Sequence, residues 1–320
     1  MTAQAKTRRP ALMACAALAV GALTLTACGG STTAEVSGGK KDTGSAATQT
    51  GKAVTGKAGR TALRSFNAPA AGLEYVAMGS SFAAGPGIQP VQSSSGAAAC
   101  ARSENNYASI VARYAGANLK DVTCSGATTA NILTTNQGAQ QPQINAVTPE
   151  TGLVTITIGG NDVSYLGSLV THSCQTSGGT NCGTVNLDAI NQAFGALTDR
   201  LENVVNAVHA RAPEADVYLV NYPVIVPDSG TCANVPLTAE QVAFGQNIAI
   251  RLAEATATAA DNTGATLINL SAASHGHDAC SSDPWVEGYR PAAGRAPYHP
   301  NENGMQAAAS LVKSALKASE

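Results

Sequence analysis

Leu73-Glu74-Tyr75-Val76-Ala77-Met78 runs straight into Gly79-Ser80-Ser81-Phe82, and the fold can be read outward from this stretch. A short apolar, β-rich run stopped by glycine is a candidate strand. Comparable runs recur at Leu119–Val122, Leu153–Ile158, Val217–Asn221 and Thr266–Leu270. Segments with helical spacing separate several of them: Tyr107–Ala115, Leu187–Ala210 and Thr238–Ala260, with Asn301–Lys317 closing the chain. Arg211-Ala212-Pro213 stops the second of these helices. Strand and helix in alternation predict a mostly parallel sheet with helices on both faces, an α/β three-layer sandwich of flavodoxin-like type.

The N-terminal part reads differently. Lys6, Arg8 and Arg9 precede the apolar run Ala11 to Thr26, which ends in Leu25-Thr26-Ala27-Cys28. That is the pattern of a secretory leader, and its end resembles a bacterial lipobox, in which the cysteine becomes the lipid-modified first residue. The run is short for a transmembrane span. Residues 1–28 are therefore expected to direct export, leaving a protein anchored outside the cell membrane through Cys28, or secreted. Residues 29–68 are Gly, Ser, Thr, Ala and Lys with almost no large apolar side chain, the composition of a tether. Residues 69–320 can form one domain with a sizeable core, expected to be monomeric. This domain holds ten basic and 19 acidic residues, a balance of −9 that argues against a nucleic-acid partner.

Apart from Cys15 in the leader and Cys28, six cysteines remain. An even number in an exported chain predicts disulfides. Six cysteines allow fifteen connectivities. The sequential one is adopted as the expectation: Cys100 with Cys124, Cys174 with Cys182, and Cys232 with Cys280. No tight Cys-x-x-Cys pair suggests zinc.

Chemistry enters through residues that the predicted topology brings to one edge of the sheet. Ser81 follows the first strand, Gly126 the second, in Ser125-Gly126-Ala127-Thr128, and Asn161 the third, in Gly159-Gly160-Asn161-Asp162. Ligands of such sheets bind beyond the carboxyl ends of the strands. A serine held open there is a candidate nucleophile, a Gly-Asn turn can donate hydrogen bonds, and His299 in His299-Pro300-Asn301 can accept a proton. Asp162 reads as structural, capping the turn after it. His275-Gly276-His277-Asp278 reads as a loop lining the cleft rather than a metal site, and His172 has no evident task.

These blocks, in this order, resemble those of the SGNH (GDSL) hydrolase superfamily over about residues 73–312. The six cysteines and Cys280-Ser281-Ser282-Asp283-Pro284-Trp285 are similar to its secreted actinobacterial lipase/esterase branch. The resemblance implies an ester hydrolase with Ser81 as nucleophile and His299 as base. The Ser81 and Gly126 N–H groups and the Asn161 amide would form the oxyanion hole, with no metal or cofactor required. The substrate would be a small-molecule or lipid ester. Two positions depart from the family pattern: Ser80 stands where aspartate is usual, and Ala296 where an aspartate often precedes the histidine by three residues. Something else must then orient His299, since a base in the wrong tautomer loses most of its activity. The branch points to the main-chain carbonyl of Trp285, with the Asp283 side chain as second candidate.

Other readings are weaker. The order Ser81, Asp283, His299 also fits an α/β-hydrolase, whose Gly-x-Ser-x-Gly elbow is missing because Ala83 occupies the fifth position. A catalytically inactive SGNH-fold surface-binding module is the alternative that the Ser80 and Ala296 departures leave open. Acyl-chain length depends on the segments Val163–Val185, Val224–Leu237 and Ser271–Tyr298, read here as loops.

Overall fold

The computed structural model describes residues 72–318. The leader, Cys28 and the tether lie outside them. In chain order the elements are β1 (Glu74–Gly79), α1 (Ser81–Ala84), α2 (Ser95–Ala99), α3 (Tyr107–Ala115), β2 (Asn118–Asp121), α4 (Thr129–Leu133) and a 3-10 turn at Gln143–Ala146. There follow β3 (Leu153–Thr157), α5 (Tyr165–Thr176), α6 (Leu187–Phe194), α7 (Leu197–Arg211), β4 (Asp216–Val220), α8 (Ala239–Thr263), β5 (Thr266–Ile268), α9 (Leu270–Ala273) and α10 (Glu302–Ala318). The five strands are parallel throughout, in the order β2-β1-β3-β4-β5. This is the flavodoxin-like order, and the α/β sandwich is the one expected.

Successive strand residues point to opposite faces, so each buried strand feeds two cores. Val76 and Met78 join Leu201, Val204 and Val208 of α7 and Ile248 and Leu252 of α8. Tyr75 and Ala77 join Tyr107 and Val111 of α3 and Met305, Ala309 and Val312 of α10. The central strands β1 and β3 are buried almost end to end, whereas β2, at one edge, alternates between exposed and half-buried residues.

Helix ends follow local chemistry. The Asn106 side chain accepts from Ser109 N to open α3, and Gly116 closes it at φ +61°. Thr238 and Gln241 form a reciprocal capping box at the start of α8.

Two segments differ from the sequence expectation. Leu187–Ala210 is not one helix but α6 and α7, interrupted at Gly195 and Ala196. The apolar spacing of Ile190, Phe194, Leu197 and Leu201 runs through the break, so periodicity does not reveal it; glycine, a weak helix former, marks it. Val163–Val185, read as a loop, contains α5. Its glycine, serine and threonine give little intrinsic helicity. Burial of Tyr165 and Leu169 holds it instead, with Leu169 so close to Gly245 of α8 that a Cβ there would lie 2.7 Å from Leu169 Cδ2.

Disulfides join Cys100 to Cys124, Cys174 to Cys182, and Cys232 to Cys280. The first fastens the end of α2 to the segment that leads from β2 to Gly126.

Candidate active site

The turn after β1 is built around Gly79. Its φ of +141° and its packing both require glycine, because a Cβ would lie 2.5 Å from the Thr157 carbonyl. The side chain of Gln143, itself buried, brackets this residue: Gly79 N donates to Gln143 Oε1 at 2.7 Å, and Gln143 Nε2 donates to Gly79 O at 3.0 Å. Ser80 N donates to Thr157 O at 2.9 Å, so the turn is tied to β3 as well. Ser80 is extended (φ −97°, ψ −159°), and Ser81 opens α1, where the first N–H groups have no intrahelical acceptor.

The second turn is held in the same manner. Gly126 has φ +86°, and Gln137 Nε2 donates to Ser125 O at 2.7 Å. In the third turn, Asn161 Nδ2 donates to Ala127 O at 2.8 Å, joining the segment after β3 to the one after β2. A carboxamide carries two N–H bonds, so one is left to serve another acceptor. Asp162 does not cap its own turn. It accepts from Thr129 N at 3.1 Å and Thr129 Oγ1 at 2.5 Å at the start of α4, and pairs with Arg200 at 3.5 Å.

A narrow cleft lined by Ser80, Ser81, Phe82, Gly160, Asn161, Tyr165, Leu166 and Tyr222 brings the first and third turns together. His299 lies against it, its ring centroid 5.2 Å from that of Phe82. His299 is 9% exposed, and its Nδ1 is 2.8 Å from the main-chain carbonyl of Pro297. A carbonyl only accepts, so Nδ1 carries the proton and Nε2 keeps its lone pair. Burial pushes the imidazole pKa down from 6.5 to about 4, partly offset by the Pro297 bond.

The acceptor at Nδ1 is therefore neither of those expected. The Trp285 carbonyl accepts from Asn301 N at 3.0 Å and packs over Gly304. Asp283, which is exposed, offers its carbonyl to His277 Nδ1 at 2.7 Å, with a carboxylate oxygen 3.4 Å from the same nitrogen. His277 in turn stacks on Trp285 at 4.1 Å, and His275 meets Asp228 at 3.3 Å. These two histidines thus brace the loop ahead of His299. Among the described residues no group of three or more His, Cys, Asp or Glu is placed to hold a metal ion.

Residues 77–307 match the GDSL-like lipase/acylhydrolase family. The chain belongs to that family. It is a lipase/esterase-type serine hydrolase acting on ester bonds. It is 36% identical to Lipase 2 of Streptomyces coelicolor over 244 residues, covering 72% of this chain and 82% of that one. It is 32% identical to a lipase of Streptomyces rimosus over 233 residues, with the same coverages. Among solved structures, an extracellular lipase from Streptomyces rimosus aligns with a TM-score of 0.62 at 32% identity, over 76% of this chain and 99% of that one. A phospholipase A1 from Streptomyces albidoflavus aligns with a TM-score of 0.63 at 28% identity, over 76% and 98%.

Four side chains around this hydrolase's cleft escape sequence reasoning: Gln137, Gln143, Ser173 and Tyr222. Gln137 and Gln143 lie in a segment with no strand and little apolar pattern. Tyr222 could have been flagged as a residue just beyond the carboxyl end of β4. Ser173 Oγ pairs with Tyr298 OH at 2.6 Å, buried, and Tyr298 adopts a left-handed φ of +59° immediately before His299.

Proposed function

We propose that this hydrolase is an exported serine esterase that cleaves carboxylic esters of acyl lipids through an acyl-enzyme. His299 Nε2 takes the proton from Ser81 Oγ as that oxygen attacks the ester carbonyl carbon. The Ser81 and Gly126 N–H groups and the free N–H of Asn161 hold the oxyanion. Collapse breaks the bond to the alcohol, which leaves with the proton from His299. Water, deprotonated by the same nitrogen, then attacks the acyl-serine, releasing the carboxylate and restoring Ser81. No carboxylate is needed to set the tautomer when the Pro297 carbonyl accepts from Nδ1. The observation that carries this reading is the meeting of Ser81 and Asn161 in one cleft beside a buried His299 with a fixed tautomer.

Lipase and phospholipase relatives favour esters of acyl lipids over acetylated sugars. The leader-like N-terminus and the three disulfides favour export. In this reading the hydrolase domain, residues 69–320, is held outside the membrane by the tether 29–68 and an acylated Cys28.

The test is hydrolysis of p-nitrophenyl esters of short and medium chain length by the oxidised domain, beside Ser81→Ala and His299→Ala. Each substitution is expected to lower kcat by at least about three orders of magnitude with circular dichroism unchanged. A rate unaffected by Ser81→Ala would place the nucleophile elsewhere, and a parent inactive on every chain length would favour a surface-binding module.

A further inference from the structure

We propose that Tyr222 is a positioning residue of the oxyanion site, its buried hydroxyl setting the Asn161 turn against the strand end that carries Ser81. The inference rests on the reading of Asn161 as an oxyanion donor.

Tyr222 lies two residues beyond β4 and is 5% exposed. Its hydroxyl oxygen accepts from Gly160 N at 3.0 Å and lies 3.2 Å from Ser80 Oγ. The phenol and the Ser80 hydroxyl share a hydrogen bond in which either oxygen can donate, so the Tyr222 oxygen serves Gly160 N and Ser80 Oγ together. Burial raises the hydroxyl's pKa well above its ordinary value, so it remains a donor. One group thereby links the residue before the nucleophile to the residue before Asn161. Ser80 is the position at which the family pattern has aspartate, and Tyr222 gives this departure a partner.

A second observation is independent of the hydrogen bonds. A Cβ on Gly160 would lie 2.8 Å from both Cε1 and Cζ of Tyr222. Gly160 is not among the residues with positive φ. Approach of the tyrosine ring, rather than backbone conformation, thus requires glycine there. The ring is itself held by Phe82 at 4.7 Å and Tyr165 at 6.2 Å. On the other side of Asn161, Asp162 is fixed to Thr129. Asn161 is therefore suspended between two anchored neighbours, and Tyr222 is the anchor on the nucleophile's side.

The experiment is a double-mutant cycle on p-nitrophenyl butyrate hydrolysis with Tyr222→Phe, Asn161→Ala and the pair, recording kcat, KM and thermal midpoint. Phenylalanine keeps the ring packing. Asn161→Ala is expected to lower kcat by about 10²- to 10³-fold. Tyr222→Phe should lower kcat by about tenfold with KM within about twofold, and should add almost nothing to Asn161→Ala, because it acts through that residue. Ser80→Ala, which removes the phenol's hydroxyl partner without touching the ring, should lower kcat in the same direction and be non-additive with Tyr222→Phe. Equal losses from Tyr222→Phe in both backgrounds, or an unchanged kcat in Tyr222→Phe, would overturn the positioning role. Full activity in Asn161→Ala would overturn the oxyanion assignment, and this proposal with it.

Discussion

A buried imidazole holds its proton weakly even with a main-chain carbonyl at Nδ1, and this sets the pH behaviour of His299. In the proposed mechanism the neutral ring accepts the Ser81 proton, and with a pKa lowered to about 4 that form predominates at every pH above that value. The expected kcat/KM is level from neutrality down to about pH 5 and falls through a midpoint at about 4, measured with a non-titrating ester. An acid limb near 6.5 would show that the ring is solvated. The sign for stability is the same: unfolded histidine binds its proton near pH 6.5, so between there and about pH 4 the unfolded chain gains protons that the native chain does not, and stability falls as the pH falls. Ser81, Asn161 and His299 could be named as candidates from residue type and position alone. The Nδ1 acceptor could not, because every residue has a main-chain carbonyl. Which one reaches the ring is set by the local path of the chain, here by the left-handed turn at Tyr298.

At the scale of elements, His299, the proposed base, is held by a loop clamped from two sides. Glu287 N donates to His299 O at 2.8 Å, Tyr298 N to Gly288 O at 3.3 Å, and Asn301 N to Trp285 O at 3.0 Å, so residues 298–301 lie alongside 285–288. Asn301 also starts α10: its Oδ1 accepts from Gly304 N at 3.0 Å while its Nδ2 donates to Pro284 O at 2.7 Å. Asn301→Ala should therefore cost about 1–2 kcal/mol of stability, read by urea unfolding, and lower kcat more than it raises KM. An effect on stability with kcat unchanged would mean that the clamp serves α10 and not His299. The legibility of elements divides along physical lines. α3 was readable to the residue because Asn106 and Gly116 punctuate it chemically. α5 was not, because its helicity comes from burial against α8 and from the Ser173–Tyr298 contact, which only the folded chain creates.

Across the whole molecule, the parallel sheet was legible because its strands are apolar runs spaced by helical segments, and burial on both faces is what such runs mean. The relation between the two cores and the cleft was not, since it depends on strand order. The disulfides differ in the length of chain they close. Loss of Cys232–Cys280, with a sequence separation of 48, should cost about 4 kcal/mol, and loss of Cys174–Cys182, with a separation of 8, about 2–3 kcal/mol. Paired alanine variants compared by urea midpoint check this order, and a larger loss from the shorter loop would show that native-state packing dominates over chain entropy.

The order in which the parts arrive along the chain has a consequence of its own. The turn carrying Ser81 follows the first strand, whereas His299 stands directly before α10, and Met305, Ala309 and Val312 of that helix complete one of the two cores. A polypeptide emerging N-terminus first presents its proposed oxyanion turns early and its proposed proton acceptor last. On the export proposed here, a chain still threading through the membrane has no base with which to attack that membrane's esters. Under that proposal the enzyme would be silent in transit and become competent only when its final helix docks.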